Sequence, residues 1–263
     1  MNDTETEGKL IIVSEDAKTI AESISRLDRV GNYVLEDRRT HRLKDVYFDT
    51  EGRELSASLI SLRIRSVDGQ ELLTLKGPGE ATGLSQTRLE IERDWSADAL
   101  QTILSALQEA GIAVSTRGDL PGGSSAEETL SLLGFGVLAS RLTQRTSLTV
   151  KEKPGSAALA ELDIDDVLFS AQDTKVRHFE IECELKPGGS PQVVEEVLGE
   201  LRKMFGCLQP FPFSKLAIGQ ALTRLSESGR LSSLLSGQVL RPTAYPEIQR
   251  VLSGDHGTGA LGL

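Results

Sequence analysis

Residues 4–14 read TETEGKLIIVS, and two structures compete for them. In an extended chain Glu5, Glu7 and Lys9 project from one face, spaced by about 7 Å. Taken alone, the stretch reads more readily as a frayed acidic leader, because polar N-termini are commonly disordered. The strands that follow reverse that reading.

Alternate residues along the later segments repeat the pattern. SLRIR (61–65) presents Arg63 and Arg65, LTLK (73–76) presents Thr74 and Lys76, and RLEIE (88–92) presents Arg88, Glu90 and Glu92. RLTQR (141–145) offers Arg141, Thr143 and Arg145, ELDID (161–165) offers Glu161, Asp163 and Asp165, and EIECE (180–184) offers Glu180, Glu182 and Glu184. Between them lie Leu62, Ile64, Leu73, Leu75, Leu89, Ile91, Leu162, Ile164, Ile181 and Cys183, a consistent apolar face. A solvated sheet face with cross-strand ion pairs accounts for any one of these strands. The set as a whole is harder to place there, since it gathers like charges side by side. A closed sheet with a charged interior needs internal compensation, because an unpaired buried ion costs several kcal/mol. A divalent cation on the carboxylates and a polyanion on the Arg and Lys side chains would supply it.

The chain has 263 residues, enough for one large β-rich domain or two small ones. A net charge of -10 and a pI near 5.0 argue against nucleic acid or an anionic membrane as the main partner. No long apolar run or signal pattern occurs, so a cytoplasmic protein is expected. Cys183 and Cys207 form no CxxC pattern, and His41, His178 and His256 show no ligand spacing, so any metal site must use oxygen ligands.

Along the chain, Ser14 is a candidate N-cap for a helix over EDAKTIAESISRL. The stretch Arg29–Asp94 reads as strands, clearest over 41–50, 58–67, 70–79 and 86–95, with Asp68-Gly69 marking a hairpin. Ser96 caps a helix ending at Gly111, residues 112–125 have loop composition, and AEETLSLLG (126–134) is a short helix. Strands resume over 141–153, 158–170 and from Arg177. A helix then begins at Pro191 and another covers 214–228. From Gly229 the Ser, Gly and Pro content predicts a loosely ordered tail over 229–263. The fold class expected is α+β, with an antiparallel sheet that can close on itself.

In this order the motifs resemble the CYTH domains, or triphosphate tunnel metalloenzymes. The resemblance rests on E-x-E-x-K at 5–9, YFDT at 47–50, SLRIR, LTLKGP at 73–78, RLEIE, RLTQR, ELDIDDV at 161–167, FEIECE at 179–184 and Ser214-Lys215, spanning about 5–225. It implies one domain over 1–228, with an insertion at about 112–138, built as a closed eight-stranded antiparallel barrel with flanking helices. It implies that Glu5, Glu7, Glu182 and Glu184, then Glu90 and Glu92, hold Mg²⁺ or Mn²⁺. Lys9, Arg63, Arg65, Lys76, Arg88, Arg145 and Lys215 would bind a triphosphate, with Arg141 and Arg177 as weaker candidates and Asp163 and Asp165 as acidic contributors. Glu5, Glu7 and Lys215 are the implied catalytic residues; the base stays open between Lys215 and a water on the metal.

The activity implied is hydrolysis of inorganic triphosphate. Class IV adenylate cyclase and thiamine or nucleoside triphosphatase share the fold, and a polyphosphate- or nucleotide-sensing tunnel is the non-enzymatic alternative. A homodimer through exposed helices is compatible with the pattern. Two departures stand out: Gly8 interrupts the first strand, and Leu216 follows Lys215 where many relatives carry an aromatic.

Overall fold

The computed structural model describes residues 4–114 and 124–254. The opening stretch is strand β1 (Thr4–Ile12), as the alternation of the later strands predicted. Helix α1 (Ala17–Ser25) starts later than Ser14 implied, because Ser14 Oγ accepts from Asp16 N at 3.1 Å and closes the turn ahead of the helix. Next come β2 (Arg29–Val30), β3 (Tyr33–Thr50) and the single turn α2 (Glu54–Ala57). Asp49, of the YFDT motif, serves that turn: its carboxylate accepts from Leu55 N at 3.0 Å and Ser56 N at 3.2 Å.

Strands β4 (Ser61–Val67) and β5 (Gln70–Thr82) meet at Asp68-Gly69, whose φ values of 50° and 84° are those a two-residue hairpin requires. After β6 (Ser85–Asp94), helix α3 (Ala97–Glu109) is capped by Ser96, which accepts from Ala99 N. The expected insertion falls partly on 115–123, outside the described residues. Beyond it, α4 (Ala126–Leu132) starts with a capping box between Ser125 and Glu128. Then follow the long strands β7 (Phe135–Lys151), β8 (Ala158–Ala171) and β9 (Thr174–Leu185).

Helix α5 (Pro191–Met204) has proline in its first turn, buries Val193, Val194, Val197, Leu198 and Leu201, and ends in Arg202 and Lys203, which complement its dipole. After β10 (Leu208–Pro210), helix α6 (Lys215–Glu227) is capped by Ser214. The expectation of a loose tail from Gly229 is corrected through Gly254. That segment forms a 3₁₀ turn (Leu231–Leu234), strands β11 (Leu235–Ser236) and β12 (Val239–Leu240), and helix α7 (Ala244–Gly254). Tyr245, Ile248 and Leu252 recur at helical spacing and are buried against Ile218, Leu222 and Leu225 of α6. Residues 255–263 lie outside the described residues.

The ladder runs β1-β6-β5-β4-β3-β7-β8-β9, and β9 pairs back with β1, which makes a closed eight-stranded antiparallel β-barrel in an α+β fold. The chain divides into two compact units. The first holds 43–79 and 88–141, with residue 4 at its edge, around a core of Phe48, Leu62, Ile64, Leu73, Ile103 and Leu107. The second holds 5–42, 80–87 and 142–254, where Leu10, Ile12, Leu162, Ile164 and Ile181 lie under α1 and α5. In both, the apolar residues of the strand alternation form the core. Leu89 departs from the pattern at 41% exposure.

Gly8 has a packing reason. A Cβ there would collide with the Leu198 side chain and lie 2.7 Å from the Leu84 carbonyl oxygen and 2.9 Å from Val194 Cγ1. Only a bare backbone lets α5 approach β1 this closely. Gly8→Ala is expected to cost about 1–3 kcal/mol, read as a lower urea midpoint at unchanged m-value.

Candidate active site

The charged face of the second unit is set by strand register. Asp163 pairs with Glu182 and Asp165 with Glu180 across β8–β9, and Lys9 pairs with Glu182 across β1–β9. Neighbouring carboxylates repel, and three cations offset them. Arg145 donates to Asp165 at 2.7 and 2.8 Å and to Glu182 at 2.7 Å, and also pairs with Asp163. Lys215 Nζ lies 3.1 Å from Asp165 and 2.7 Å from Glu182 and pairs with Glu180. Lys9 Nζ is 3.3 Å from Glu182 and 3.7 Å from Glu180.

Lys215 stands at the first position of α6, where the helix dipole disfavours a cation; the three carboxylates outweigh it. Burial opposes ionisation of Glu180, yet Lys215 and Lys9 hold its pKa down at about 2, and with Arg145 they hold Glu182 well below the carboxylate range. Asp163 goes the other way. Burial, with Asp165 beside it, pushes its pKa up to about 6 against the pull of Arg145.

Oxygens of Asp165, Glu180 and Glu182 lie within 4.8 Å of one another, the spacing of a metal-ligand set. Further along β9, Glu184 pairs in register with Glu7 on one side and Glu161 on the other. Lys186 bridges Glu184 at 2.9 Å and Glu161 at 3.3 Å. Burial raises the Glu184 pKa, and Glu5 and Glu161 add to the rise, so this end of β9 is crowded with carboxylate charge. Glu5 and Glu7 are both buried.

The first unit has its own charged set. Asp45 on β3 is fully buried and accepts from Arg65 at 2.7 and 3.1 Å and from Arg141 at 2.6 and 2.9 Å. Arg63 Nε lies 3.7 Å from it. Burial works against the ionised carboxylate, but Arg141, Arg63 and Arg65 outweigh it and hold its pKa well below the usual value. Glu92 takes Arg63 at 3.2 Å and Thr74 at 2.8 Å, Lys76 pairs with Glu90 at 3.1 Å, and the Arg141 guanidinium stacks 5.2 Å over Tyr47. Arg63 Nε and Arg141 Nη1 are buried without a hydrogen-bond acceptor among the described residues.

Of the residues singled out in the sequence, Lys9, Arg145, Glu182 and Lys215 therefore converge in one cluster. Arg63, Arg65, Arg141, Glu90, Glu92 and Lys76 share the other set. Arg88 is half-buried on β6, while Arg177 pairs with Asp166 outside both. Sequence reasoning left Asp45 out, although it stands opposite Arg65 in the β3–β4 register. It also passed over Glu180 as a site residue and set His178 aside as showing no ligand spacing. Both continue the alternation of Glu182 and Glu184 backwards along β9, which is the signal that was there to find.

The family profile described as CYTH domain matches residues 3–215. HpAC1 from Hippeastrum, reported to have a dominant triphosphatase activity, is 19% identical, with TM-score 0.56 over 82% of this chain and 95% of that one. A candidate adenylate cyclase from Bacillus halodurans is 18% identical, with TM-score 0.48 over 81% of this chain and 96% of that one. No curated protein sequence matches the chain. Among the described residues no helix is long and apolar enough to cross a membrane. With residues 3–215, four-fifths of its length, matched by that profile, the chain belongs to the CYTH domain family.

Proposed function

We propose that the protein hydrolyses inorganic triphosphate to pyrophosphate and orthophosphate. The observation that carries this reading is the pair of buried guanidinium N–H groups, Arg63 Nε and Arg141 Nη1, that lack an acceptor among the described residues. A buried unsatisfied donor costs about 1–3 kcal/mol, and phosphate oxygens are the acceptors that Arg forks fit best. In the first unit Arg63, Arg65, Lys76, Arg88 and Arg141 would bind phosphate oxygens. In the second, Lys9, Arg145 and Lys215 would do so, each exchanging carboxylate contacts for phosphoryl ones.

The residues fit a hard divalent cation, Mg²⁺ or Mn²⁺. The crowding that raises the Glu184 pKa is an excess of oxygen donors that such an ion relieves. Glu5, Glu7, Glu182 and Glu184 would hold it. Glu90 and Glu92, engaged by Lys76 and Arg63, would orient those cations. When bound, the ion supplies charge neutralisation on the phosphate oxygens and acidifies a water. Lys215, paired with three carboxylates, would donate to a phosphoryl oxygen as charge develops there.

The test is orthophosphate release from inorganic triphosphate, ATP and thiamine triphosphate with Mg²⁺, Mn²⁺ or EDTA, with cyclic AMP assayed in the ATP samples. The expected result is metal-dependent release, fastest on inorganic triphosphate, lowered about 100-fold or more by Glu182→Gln with Glu184→Gln. Cyclic AMP as the main product of ATP, or full activity in the double variant, would overturn it.

A further inference from the structure

Helix α7 lies beyond the residues matched by the family profile, yet one of its side chains reaches the charged cluster of the second unit. Tyr245 Oη is 3.2 Å from His178 Nδ1, and His178 Nε2 is 2.9 Å from Glu180 Oε2. His178 and Glu180 are 0% exposed and Tyr245 is 5% exposed, so these contacts are shielded from bulk solvent. The other carboxylate oxygen, Glu180 Oε1, faces Lys215 and lies 3.7 Å from Lys9.

The donor directions follow from chemistry. An ionised carboxylate only accepts, so His178 Nε2 carries a proton and donates to Glu180; the Tyr245 hydroxyl, which can donate or accept, completes the contact at Nδ1. Burial, with Glu180 nearby, raises the Tyr245 pKa and keeps that hydroxyl protonated. The rings are held from the side as well, with Phe211 edge-on to Tyr245 at 5.8 Å and Phe169 tilted against His178 at 6.3 Å. One oxygen of Glu180 is thereby tied to an aromatic frame, which leaves the other to hold the lysines.

We infer that Tyr245 and His178 are positioning residues: Tyr245 fixes the plane of the His178 ring, whose Nε2–H donates to Glu180, and this holds Glu180 against Lys215 and Lys9. The C-terminal segment is on this account a working part of the site. The inference rests on the triphosphatase reading for its kinetic consequence alone.

The experiment compares the full chain with Tyr245→Phe, which keeps the ring and its packing. Ring ¹⁵N shifts of His178, assigned with His178→Gln, report the hydrogen bonds at its two nitrogens. Steady-state kinetics on inorganic triphosphate with Mg²⁺ report the consequence. In Tyr245→Phe the Nδ1 shift should move as its hydroxyl partner is lost, and kcat should fall about tenfold with KM changed far less, the usual size of an outer-contact effect.

His178→Gln, which can still donate to Glu180, should keep about tenfold more activity than His178→Leu. Unchanged ring shifts in Tyr245→Phe would overturn the inference, as would altered shifts with wild-type kcat. A wild type that releases no orthophosphate would sink the triphosphatase reading instead, and the ring shifts alone would then decide the Tyr245–His178–Glu180 arrangement.

Discussion

Asp45→Ala is expected to be the most destabilising single substitution in the chain, lowering the unfolding free energy by about 3–5 kcal/mol, the cost of leaving buried ions without their partner. Arg65 and Arg141 donate directly to this one carboxylate, and Arg63 lies beside it. Asp45→Asn should be nearly as damaging, since an amide keeps the shape and loses the charge. Equilibrium urea unfolding measures both; a loss below about 1 kcal/mol, the range of an exposed pair, would show that the arginines find other counterions.

The sign of the pH dependence follows from the same carboxylate. Its pKa is depressed in the folded protein, so its contribution is present above the unfolded pKa and is lost as pH falls through the folded one. Stability of the wild type should therefore fall as pH drops below about 4, and Asp45→Ala should show a shallower fall there.

The second large effect is on turnover. Lys215→Met keeps the aliphatic stem and removes the ammonium that Asp165, Glu180 and Glu182 share. On inorganic triphosphate kcat should fall about 100- to 1000-fold, the usual cost of deleting a preorganised electrostatic donor. The variant also leaves those carboxylates under-compensated, so kinetics belong at a temperature where its melting curve shows it folded. Lys215→Arg should not restore the rate, because a planar fork cannot replace a compact cation enclosed by three carboxylates. A fall in kcat below tenfold would remove Lys215 from the reacting centre.

Much of the barrel could be read in the sequence because a period-2 alternation survives wherever one strand face must be apolar. That logic made β1 a strand despite its polar composition, and it brought out Lys9, Arg145 and Glu182; Lys215, at the head of α6, came from the family resemblance instead, and the fold gathers all four into one cluster. What escaped needed register. Asp45 is an ordinary acid in a long strand until β4 places Arg65 opposite it, and Glu180 looks equivalent to Glu182 and Glu184 until His178 and Lys215 divide its two oxygens.

Tyr245 was hidden for another reason. Pro246 and the glycines around α7 lowered the local helical signal, although proline is tolerated in a first turn. The spacing of Tyr245, Ile248 and Leu252 was legible, and the composition of the surrounding segment obscured it.

The two short strands at the seam of the ladder protect the molecule from itself. Where β9 runs past its pairing with β1, β12 occupies the flank: Val239 is the parallel partner of Arg177, and Arg177 N donates to Gln238 O at 2.6 Å. On the opposite side of β1, β10 covers Leu10–Ile12. An uncovered row of backbone donors and acceptors is a template for another chain. These few residues fill the rows that closure leaves open, so the seam offers little purchase for edge-to-edge aggregation as the concentration of the protein rises.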